Sequence, residues 1–337
     1  MNGEHDVFRN NYVPGTACGG GSHCDFLQGG CYDAAPPYTS ITRSLVEDNT
    51  FLEWSNSDEY FFLTNDTDNC GNGEGTVGMI VRQNKIYNEQ GGSFTVVDHS
   101  GGYGLTQYNH VYNNSIHTAA QPSNYAVYLR VSDYSSMINN LFYDAMTLSG
   151  VVGLYRASGC FQSHNLYYDP DGTMTFSGAA LNEVGAVKNM NPLVNNPAAG
   201  DFSLAAASPA INAGGPLTTI AAADTGNGAT FVVNDLYFFQ DGWGGGTANG
   251  VQPDCIAVGT VSNMTCIVEG SANYVAGTVT ISPAISRNAG DPVWLYKNSS
   301  GQQVLYGSAP DIGAYEYVSG GSPDTTPPSA PSGVLVN

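Results

Sequence analysis

Apolar residues in this chain recur in short clusters, each interrupted by an asparagine. Six such phrases follow one another, at 7–13, 45–51, 80–86, 111–116, 137–142 and 161–167. Their last asparagines are Asn11, Asn49, Asn84, Asn114, Asn140 and Asn165, at spacings of 38, 35, 30, 26 and 25 residues. The position three residues before the asparagine is apolar except at Gln162, and the position two residues after it is apolar or aromatic throughout. A repeat of this length indicates stacked units, none of which can bury its apolar face alone.

A second apolar cluster follows each of the first five asparagines, at 24–28, 60–65, 94–99, 125–130 and 151–156. These clusters are rich in β-branched and aromatic residues and are bounded by turn-forming residues, which is typical of strands. Two strands per repeat, no helical periodicity and a recurring asparagine predict an all-β fold, a parallel β-helix. Asparagine tolerates left-handed backbone geometry, and stacked asparagines can hydrogen-bond as a ladder.

Changes in this pattern divide the chain. We expect β-helix coils and their closing segment in residues 1–214 and a small inserted all-β domain in 215–307, with strands near 229–233, 255–261, 264–269, 277–281 and 292–297. A final strand returns to the solenoid in 308–318. Residues 319–337 are rich in Pro, Ser and Thr, so they are expected to form a linker toward a further module.

Charge and cysteine content narrow the possible partners. Nine Lys and Arg against 29 Asp and Glu give a net charge of −20, which argues against nucleic acid and anionic membranes. No apolar run is long enough to span a membrane, so no membrane insertion is expected.

Seven cysteines favour an oxidising, extracellular location. Cys255 and Cys266 are predicted to pair, and Cys18, Cys24, Cys31 and Cys70 could form two bridges of undetermined connectivity, leaving Cys160 over.

Three phrases near the end of the coils carry a resemblance to a known family. They are Asp201–Leu204, Ser208–Asn212 and Asp311–Glu316. These phrases resemble those that close secreted bacterial right-handed parallel β-helix proteins of the pectate-lyase-like superfamily. The tail is similar to linkers that precede fibronectin type III modules in cell-surface proteins. The resemblance implies right-handed coils, an extracellular or cell-surface location and further domains of the same polypeptide. It implies no single activity, because the superfamily includes lyases, hydrolases, epimerases and non-enzymatic adhesins.

Members that act on polysaccharides use the outer face of one parallel sheet as a groove. Counting from each ladder asparagine predicts one exposed row of Gln28, Asn65, Asp98 or His99, Arg130 and Arg156. The candidate catalytic residues are Arg130, Arg156, His99 and Asp98, and the candidate substrate-binding residues are Asp25, Gln28, Asn65 and Tyr128.

Two arginines in one register would repel each other unless an anion lies between them, and a uronate carboxylate would serve. Alternatively, each arginine pairs with a loop acid such as Asp133 or Asp169. His99 beside Asp98 could act as a general base oriented by a carboxylate. The alternative is a solvated turn.

The loop 65–74 alternates oxygen-bearing side chains with glycine. Its composition suggests a Ca²⁺ site at Asp66, Asp68 and Glu74, although the spacing departs from that of an EF-hand. The alternative is a solvated loop tied by a disulfide.

Three functions are compatible with this sequence. The first is a polysaccharide lyase that binds an acidic glycan and acts by β-elimination, with Arg or calcium stabilising the developing charge. The second is a glycoside hydrolase that uses Asp25 and Asp98 as its two carboxylates. The third is a non-catalytic adhesin or glycan-binding stalk.

Overall fold

The computed structural model describes residues 5–13, 25–29, 41–52, 59–65, 76–88, 93–98, 107–118, 127–130, 133–144, 152–155, 158–172, 174, 183–222, 224 and 226–319. Within these ranges only the backbone is described at 25–29, 41–42, 59–65, 88, 93–98, 118, 127–130 and 152–155.

The described part of the chain is all-β. Its strands are β1 (Val7–Arg9), β2 (Tyr12–Val13), β3 (Asp25–Gly29), β4 (Ile41–Thr42), β5 (Leu45–Glu47), β6 (Thr50–Leu52), β7 (Glu59–Asn65), β8 (Thr76–Val77), β9 (Ile80–Arg82), β10 (Lys85–Asn88), β11 (Ser93–Asp98), β12 (His110–Tyr112), β13 (Ser115–Thr118), β14 (Val127–Arg130), β15 (Ser136–Ile138), β16 (Leu141–Tyr143), β17 (Val152–Tyr155), β18 (Phe161–Ser163), β19 (Leu166–Tyr168), β20 (Val187–Lys188), β21 (Val194–Asn196), β22 (Asp201–Leu204), β23 (Thr218–Thr219), β24 (Thr230–Val232), β25 (Cys255–Val258), β26 (Thr260–Ile267), β27 (Thr278–Ser282) and β28 (Pro292–Lys297). Short 3₁₀ turns lie at Pro197–Ala199, Gly242–Gly244 and Thr247–Asn249. None of the described segments forms a helix of membrane-spanning length and hydrophobicity.

The repeats build three long parallel sheets that the chain visits in turn, and a short parallel pair, β4-β8. The first sheet has the order β1-β5-β9-β12-β15-β18, the second β2-β6-β10-β13-β16-β19-β20, and the third β17-β14-β11-β7-β3. Each strand therefore pairs with its equivalents in the repeats before and after it. The sequence predicted two strands per repeat, whereas the first five repeats each have at least three, because each asparagine phrase bends into two short strands.

The bend has a left-handed residue directly before each ladder asparagine. These residues are Asn10, Asp48, Gln83, Asn113, Asn139 and His164, with φ between 51° and 59°. The ladder asparagine itself is not in the left-handed region, which differs from the sequence-based expectation. Its side chain is instead used for the ladder.

The predicted asparagine ladder is confirmed. Each side-chain Nδ2 donates to the Oδ1 of the next asparagine, at 2.9 Å for the first four steps and 3.1 Å from Asn140 to Asn165. The backbone N–H of each asparagine donates to the same Oδ1. From Asn49 onward, Nδ2 also donates to a backbone carbonyl of the preceding repeat. The ladder thereby satisfies polar groups that the stacked apolar rows would otherwise leave buried without partners.

A carboxylate ends the ladder. Asn165 donates both its backbone N–H and its Nδ2 to Glu183 Oε1, at 2.9 and 2.8 Å. Gln162 Nε2 and the Tyr167 hydroxyl donate to Glu183 Oε2 at 2.9 and 2.7 Å. Burial raises the pKa of the Glu183 carboxyl, and the hydrogen bonds from Tyr167 and Asn165 oppose the rise. Gln162, the one polar exception in its row, is therefore explained as a donor to the terminal carboxylate.

An antiparallel sheet covers the outer face of the first parallel sheet. Its strand order is β23-β28-β25-β26-β27-β24, and the predicted Cys255–Cys266 disulfide joins β25 to β26. Leu45, Ile80, Tyr112 and Ile138 of the parallel sheet share one buried cluster with apolar residues of the antiparallel sheet. Buried apolar contact of this kind favours a fixed arrangement of the two units.

A buried ionic network crosses the same interface. The fully buried guanidinium of Arg82 donates to Glu47 at 2.6 Å and to both carboxylate oxygens of Asp254 at 2.7 Å. It also donates to the Tyr112 hydroxyl at 2.9 Å, which in turn donates to the Phe238 carbonyl. Two carboxylates and a bidentate contact compensate the cost of burying this charge.

A closing segment, residues 193–214 with 308–317, covers the outer face of the second parallel sheet. The final strand predicted for 308–318 is wrong, because these residues follow an irregular path and pair with no sheet. Phe202, Leu204, Ala210 and Ile312 pack on Tyr87, Leu141 and Leu166 of that sheet. Asn113 Nδ2 donates to the Asp311 carbonyl, and Ser115 Oγ accepts from the Ala314 backbone N–H. The described contacts of the two covering units thus fall on the first and second sheets and on the turns next to them, such as those of Arg43 and Tyr108.

The closing segment contains two neighbouring carboxyl groups. Asp311 accepts from the backbone N–H groups of Asn212 and Tyr317, at 2.7 and 2.6 Å, while Glu316 accepts from that of Asp311 at 2.8 Å. Burial raises the pKa of Asp311 to about 6. Burial, and then the neighbouring Asp311, raise the pKa of Glu316 well above its usual range.

We expect Asn114→Ala to lower the free energy of unfolding by about 3 kcal/mol, because it removes hydrogen-bond partners from several buried polar groups. The backbone N–H and Nδ2 of Asn84 each lose an acceptor, and the carbonyl of Val81 loses a donor. Asn196→Ala, at an exposed residue of β21, is the control and should stay within about 0.5 kcal/mol of wild type. Urea denaturation compares the two variants, and equal stabilities would contradict the role of the ladder.

The raised pKa values of Asp311 and Glu316 predict that stability falls as pH rises. A carboxyl whose pKa is higher in the folded than in the unfolded state favours folding while protonated, and this contribution is lost as pH rises through the folded pKa. Denaturation curves between about pH 4 and pH 7 should therefore show declining stability, and Glu316→Gln should flatten the decline. Glu269→Gln is the control, because hydrogen bonds from Thr247 lower the pKa of that exposed carboxyl. An unchanged slope in Glu316→Gln would refute the assignment.

Candidate functional site

The third parallel sheet carries the candidate residues that fall in the described ranges. Asp25 and Gln28 lie in β3, Asn65 ends β7 and Asp98 ends β11. Tyr128 and Arg130 lie in β14. The sequence thus placed these residues on successive strands of one sheet.

The register of this sheet defines which of these residues share a face. One row runs Gln28, Phe62, Thr95, Tyr128 and Gly153. A second row, two residues further along the strands, runs Thr64, Val97, Arg130 and Tyr155. Positions two residues apart lie on the same face of a sheet. Gln28, Tyr128 and Arg130 therefore share one face.

Asn65 pairs with Asp98 one position beyond the Arg130 row, so these two residues fall on the opposite face. The single row predicted from the sequence is therefore corrected: Asn65 and Asp98 separate from Gln28 and Arg130. Arg130 pairs with Tyr155. The sequence-based prediction that Arg130 and Arg156 share one register is therefore wrong by one residue.

The error has a physical source. Thr64, Val97, Arg130 and Tyr155 share a row but lie 15, 13, 16 and 15 residues after asparagines 49, 84, 114 and 140. The segments that lead from the second sheet to the third differ in length, so a fixed count from the asparagine cannot give the register.

The two carboxylates considered for hydrolysis lie near opposite ends of the strands. Asp25 pairs with Glu59, and Glu59 pairs with Ser93 at the start of β11, whereas Asp98 ends that strand. Five residues of strand correspond to roughly 16 Å. This backbone separation exceeds the carboxylate spacing of about 6.5–9.5 Å in inverting hydrolases.

Several candidates lie outside the described residues. They are His99 and Arg156, and the three calcium ligands Asp66, Asp68 and Glu74. The described residues also exclude Cys18, Cys24, Cys31 and Cys70. The expected His–Asp pair, the calcium loop and the additional disulfides stay predictions.

The loop acids proposed as alternative arginine partners have backbone contacts of their own. Asp133 Oδ1 accepts from the Ser158 backbone N–H at 2.7 Å, and Asp169 Oδ1 accepts from that of Asp171 at 2.8 Å.

A Ser–His–Asp arrangement occurs at the interface of the first sheet. His110 Nδ1 lies 2.9 Å from Ser136 Oγ, and His110 Nε2 lies 3.2 Å from Asp235 Oδ2. His110 and Ser136 are fully buried, and the Phe238 ring stacks on the imidazole at 3.7 Å. A nucleophile must reach its substrate, so this constellation is structural despite its resemblance to a catalytic triad.

A cluster of three carboxylates was not found from the sequence. Asp144 follows β16, while Asp169 and Asp171 follow β19, and one oxygen of each lies within 4.8 Å of the others. His117 Nε2 is 3.3 Å from Asp144 Oδ2. Carboxylate oxygens at this spacing could hold a hard cation such as Ca²⁺. The sequence feature that could have revealed this cluster is Asp-Pro-Asp-Gly at 169–172, which follows Asp144 by one repeat.

Comparison with known proteins adds no family to this description. No protein-family model, curated protein or solved structure matches the chain.

Proposed function

We propose that this chain is an extracellular carbohydrate-active protein built on a right-handed parallel β-helix, as in the pectate-lyase-like superfamily. It binds an acidic glycan on the third parallel sheet, on the face that carries Gln28, Tyr128 and Arg130, and cleaves the glycan by β-elimination. The observation that carries the proposal is the placement of the covering units. The antiparallel sheet and the closing segment pack on the first and second sheets, and the candidate residues lie on the third.

Sheet topology and the ladder support the β-helix. The chain passes through the three long parallel sheets in the same order in each of the first five repeats, and each asparagine bonds to its equivalent in the next repeat. This is the arrangement expected when coils stack along a common axis.

The use of the arginines supports a cationic site on the third sheet. The chain has six, and four make structural contacts within the described residues. Arg82 and Arg287 are buried with carboxylates, Arg9 donates to Gly250 and Ser299, and Arg43 lies over the Tyr274 ring. Of the other two, Arg130 lies in β14 of the third sheet, and Arg156 lies outside the described residues. An acidic glycan approaching a protein of charge −20 needs a local cationic contact or a bridging cation.

The proposed reaction assigns a role to the cationic residues. A base removes the proton α to the uronate carboxylate, a carbon–carbon double bond forms, and the glycosidic C–O bond breaks with release of the leaving oxygen. Positive charge beside the carboxylate stabilises the enolate-like transition state. The family resemblance implies a Lys or Arg base. Lys85 and Lys188 lie on the second sheet and Lys297 on the antiparallel sheet, which leaves Arg130 or Arg156.

Incubation with pectate, alginate and glycosaminoglycans tests the proposal through ultraviolet absorbance of unsaturated product ends. We expect unsaturated product, and Arg130→Ala should weaken glycan binding about ten- to hundredfold, because it removes a charge-assisted contact worth roughly 1.5–3 kcal/mol. Arg43→Gln is the matched control, since it removes the same charge from a turn beside the antiparallel sheet.

The other outcomes discriminate between functions. Binding that Arg130→Ala weakens, without turnover, would replace the lyase by a glycan-binding adhesin. New reducing ends without unsaturation would indicate hydrolysis. Equal losses in Arg130→Ala and Arg43→Gln would show that overall charge rather than the third sheet determines binding.

A further inference from the structure

A column of aromatic rings lies on the turns that follow the third parallel sheet and precede the first. One turn residue in each of five successive repeats has a left-handed backbone, with φ between 52° and 72°. The backbone N–H of each of the first four donates to the carbonyl just before the equivalent residue of the next repeat, so these positions stack in register. The five residues are Arg43, Gly78, Tyr108, Tyr134 and Gly159.

Rings from two parts of the protein build the column. Tyr108 stacks on Tyr134 with ring centroids 5.2 Å apart, and Tyr237 of the antiparallel unit stacks on Tyr108 at 4.5 Å. Tyr274 lies 5.1 Å beyond Tyr237, and the guanidinium of Arg43 lies over its ring at 5.6 Å. Beyond this end, which Arg43 covers, the column consists of Tyr237, Tyr108 and Tyr134.

Glycine leaves the space that two of these rings occupy. A Cβ atom at Gly78 would lie 2.7 Å from the Tyr237 ring, and one at Gly159 would lie 2.7 Å from the Tyr134 ring. The two glycine repeats thus extend the column instead of interrupting it.

Tyr108 and Tyr134 hold their positions at an energetic cost. Left-handed geometry is unfavourable for a bulky residue, whereas glycine adopts it freely, as at Gly78 and Gly159. Burial compensates little of this cost at Tyr134, because the residue is 47% exposed although Tyr108 covers one face of its ring. Strained backbone that presents a side chain to solvent favours a role in binding.

The column lies close to the proposed glycan face. Tyr134 follows Arg130 by four residues, so their Cα atoms are at most about 14 Å apart. The rings repeat at 4.5 and 5.2 Å, which is close to the separation of about 4.8 Å between neighbouring strands. The column and the third sheet therefore advance together along the repeats, and one linear polymer can contact both.

The chemistry of the column matches that of a sugar. Stacked tyrosines present ring edges and hydroxyl groups, which combine apolar contact with hydrogen bonding. A pyranose ring likewise has apolar C–H faces bordered by hydroxyl groups, so it fits such a surface. Burial, and then the nearby Asp235, raise the pKa of Tyr108, and Asp133 directly precedes Tyr134. These two carboxylates repel a uronate group, which directs it away from the column and toward Arg130.

We propose that Tyr237, Tyr108 and Tyr134 form an aromatic wall of the glycan site, along which successive sugar rings pack. This inference rests on the proposed function and adds three features to it. The glycan runs along the stacking direction of the repeats, its carboxylates face Arg130, and the antiparallel unit takes part in binding through Tyr237.

Isothermal titration calorimetry of the intact protein with pectate, alginate and glycosaminoglycans tests the aromatic wall. For a polysaccharide that wild type binds, we expect Tyr134→Ala and Tyr237→Ala each to weaken binding about three- to tenfold, because each removes one aromatic contact. Tyr134→Phe keeps the ring and should therefore bind more tightly than Tyr134→Ala. Tyr306→Ala is the matched control, since Tyr306 is also 47% exposed but lies beside the closing segment.

Weaker binding by Tyr134→Ala than by wild type and Tyr306→Ala supports the aromatic wall. Unchanged binding by Tyr134→Ala and Tyr237→Ala overturns it, and a loss in Arg130→Ala alone would then leave the third-sheet site in place. Equal losses in Tyr134→Ala and Tyr306→Ala, or in Tyr134→Ala and Tyr134→Phe, also overturn it. If wild type binds none of these polysaccharides, the proposed function and the aromatic wall both fail. Circular dichroism of each variant establishes that it is folded.

Discussion

The structure depends on one polar constraint, which is that every repeat must bend beside the apolar core without leaving backbone groups unsatisfied. The residue before each ladder asparagine takes the left-handed conformation, and the asparagine bonds to the repeats on either side. Because the amide spans one inter-strand distance, the ladder fixes the register of both adjoining sheets. The long insertions between early repeats are tolerated since they leave the bend unchanged.

The same bend positions the surfaces outside the core. The first sheet presents Arg82 to Asp254 of the antiparallel unit, and the second presents Tyr87 and Leu141 to the closing segment. A buried ion pair contributes little net stability compared with apolar packing, but it tolerates few alternative geometries. Arg82 therefore specifies the position of the antiparallel sheet on the first parallel sheet. The apolar cluster around Ile80 and Phe238 contributes most of the free energy that stabilises this packing.

Sequence reasoning succeeded where a signal was local and repeated. The asparagine phrase located the ladder, and Cys255 and Cys266 were paired correctly because they flank a hairpin. It failed where geometry depends on variable connections or distant partners. The register of Arg130 depends on loop length, and Arg82 meets Asp254 across 172 residues, a distance over which no periodic pattern extends. The cluster around Asp144 was missed because its members belong to different repeats.

Directionality of the asparagine ladder has a consequence for electrostatics and for the growth of such chains. All the side-chain amide dipoles point the same way, with N–H toward the last repeat, so they add along the stack as peptide dipoles add along a helix. Glu183 lies at the positive end of this array, where an anion is stabilised and neighbouring hydrogen bonds are polarised cooperatively. An internal repeat can be duplicated or deleted without altering either end of the array. Ladder length can therefore vary by whole repeats during evolution, while the terminal carboxylate stays in place.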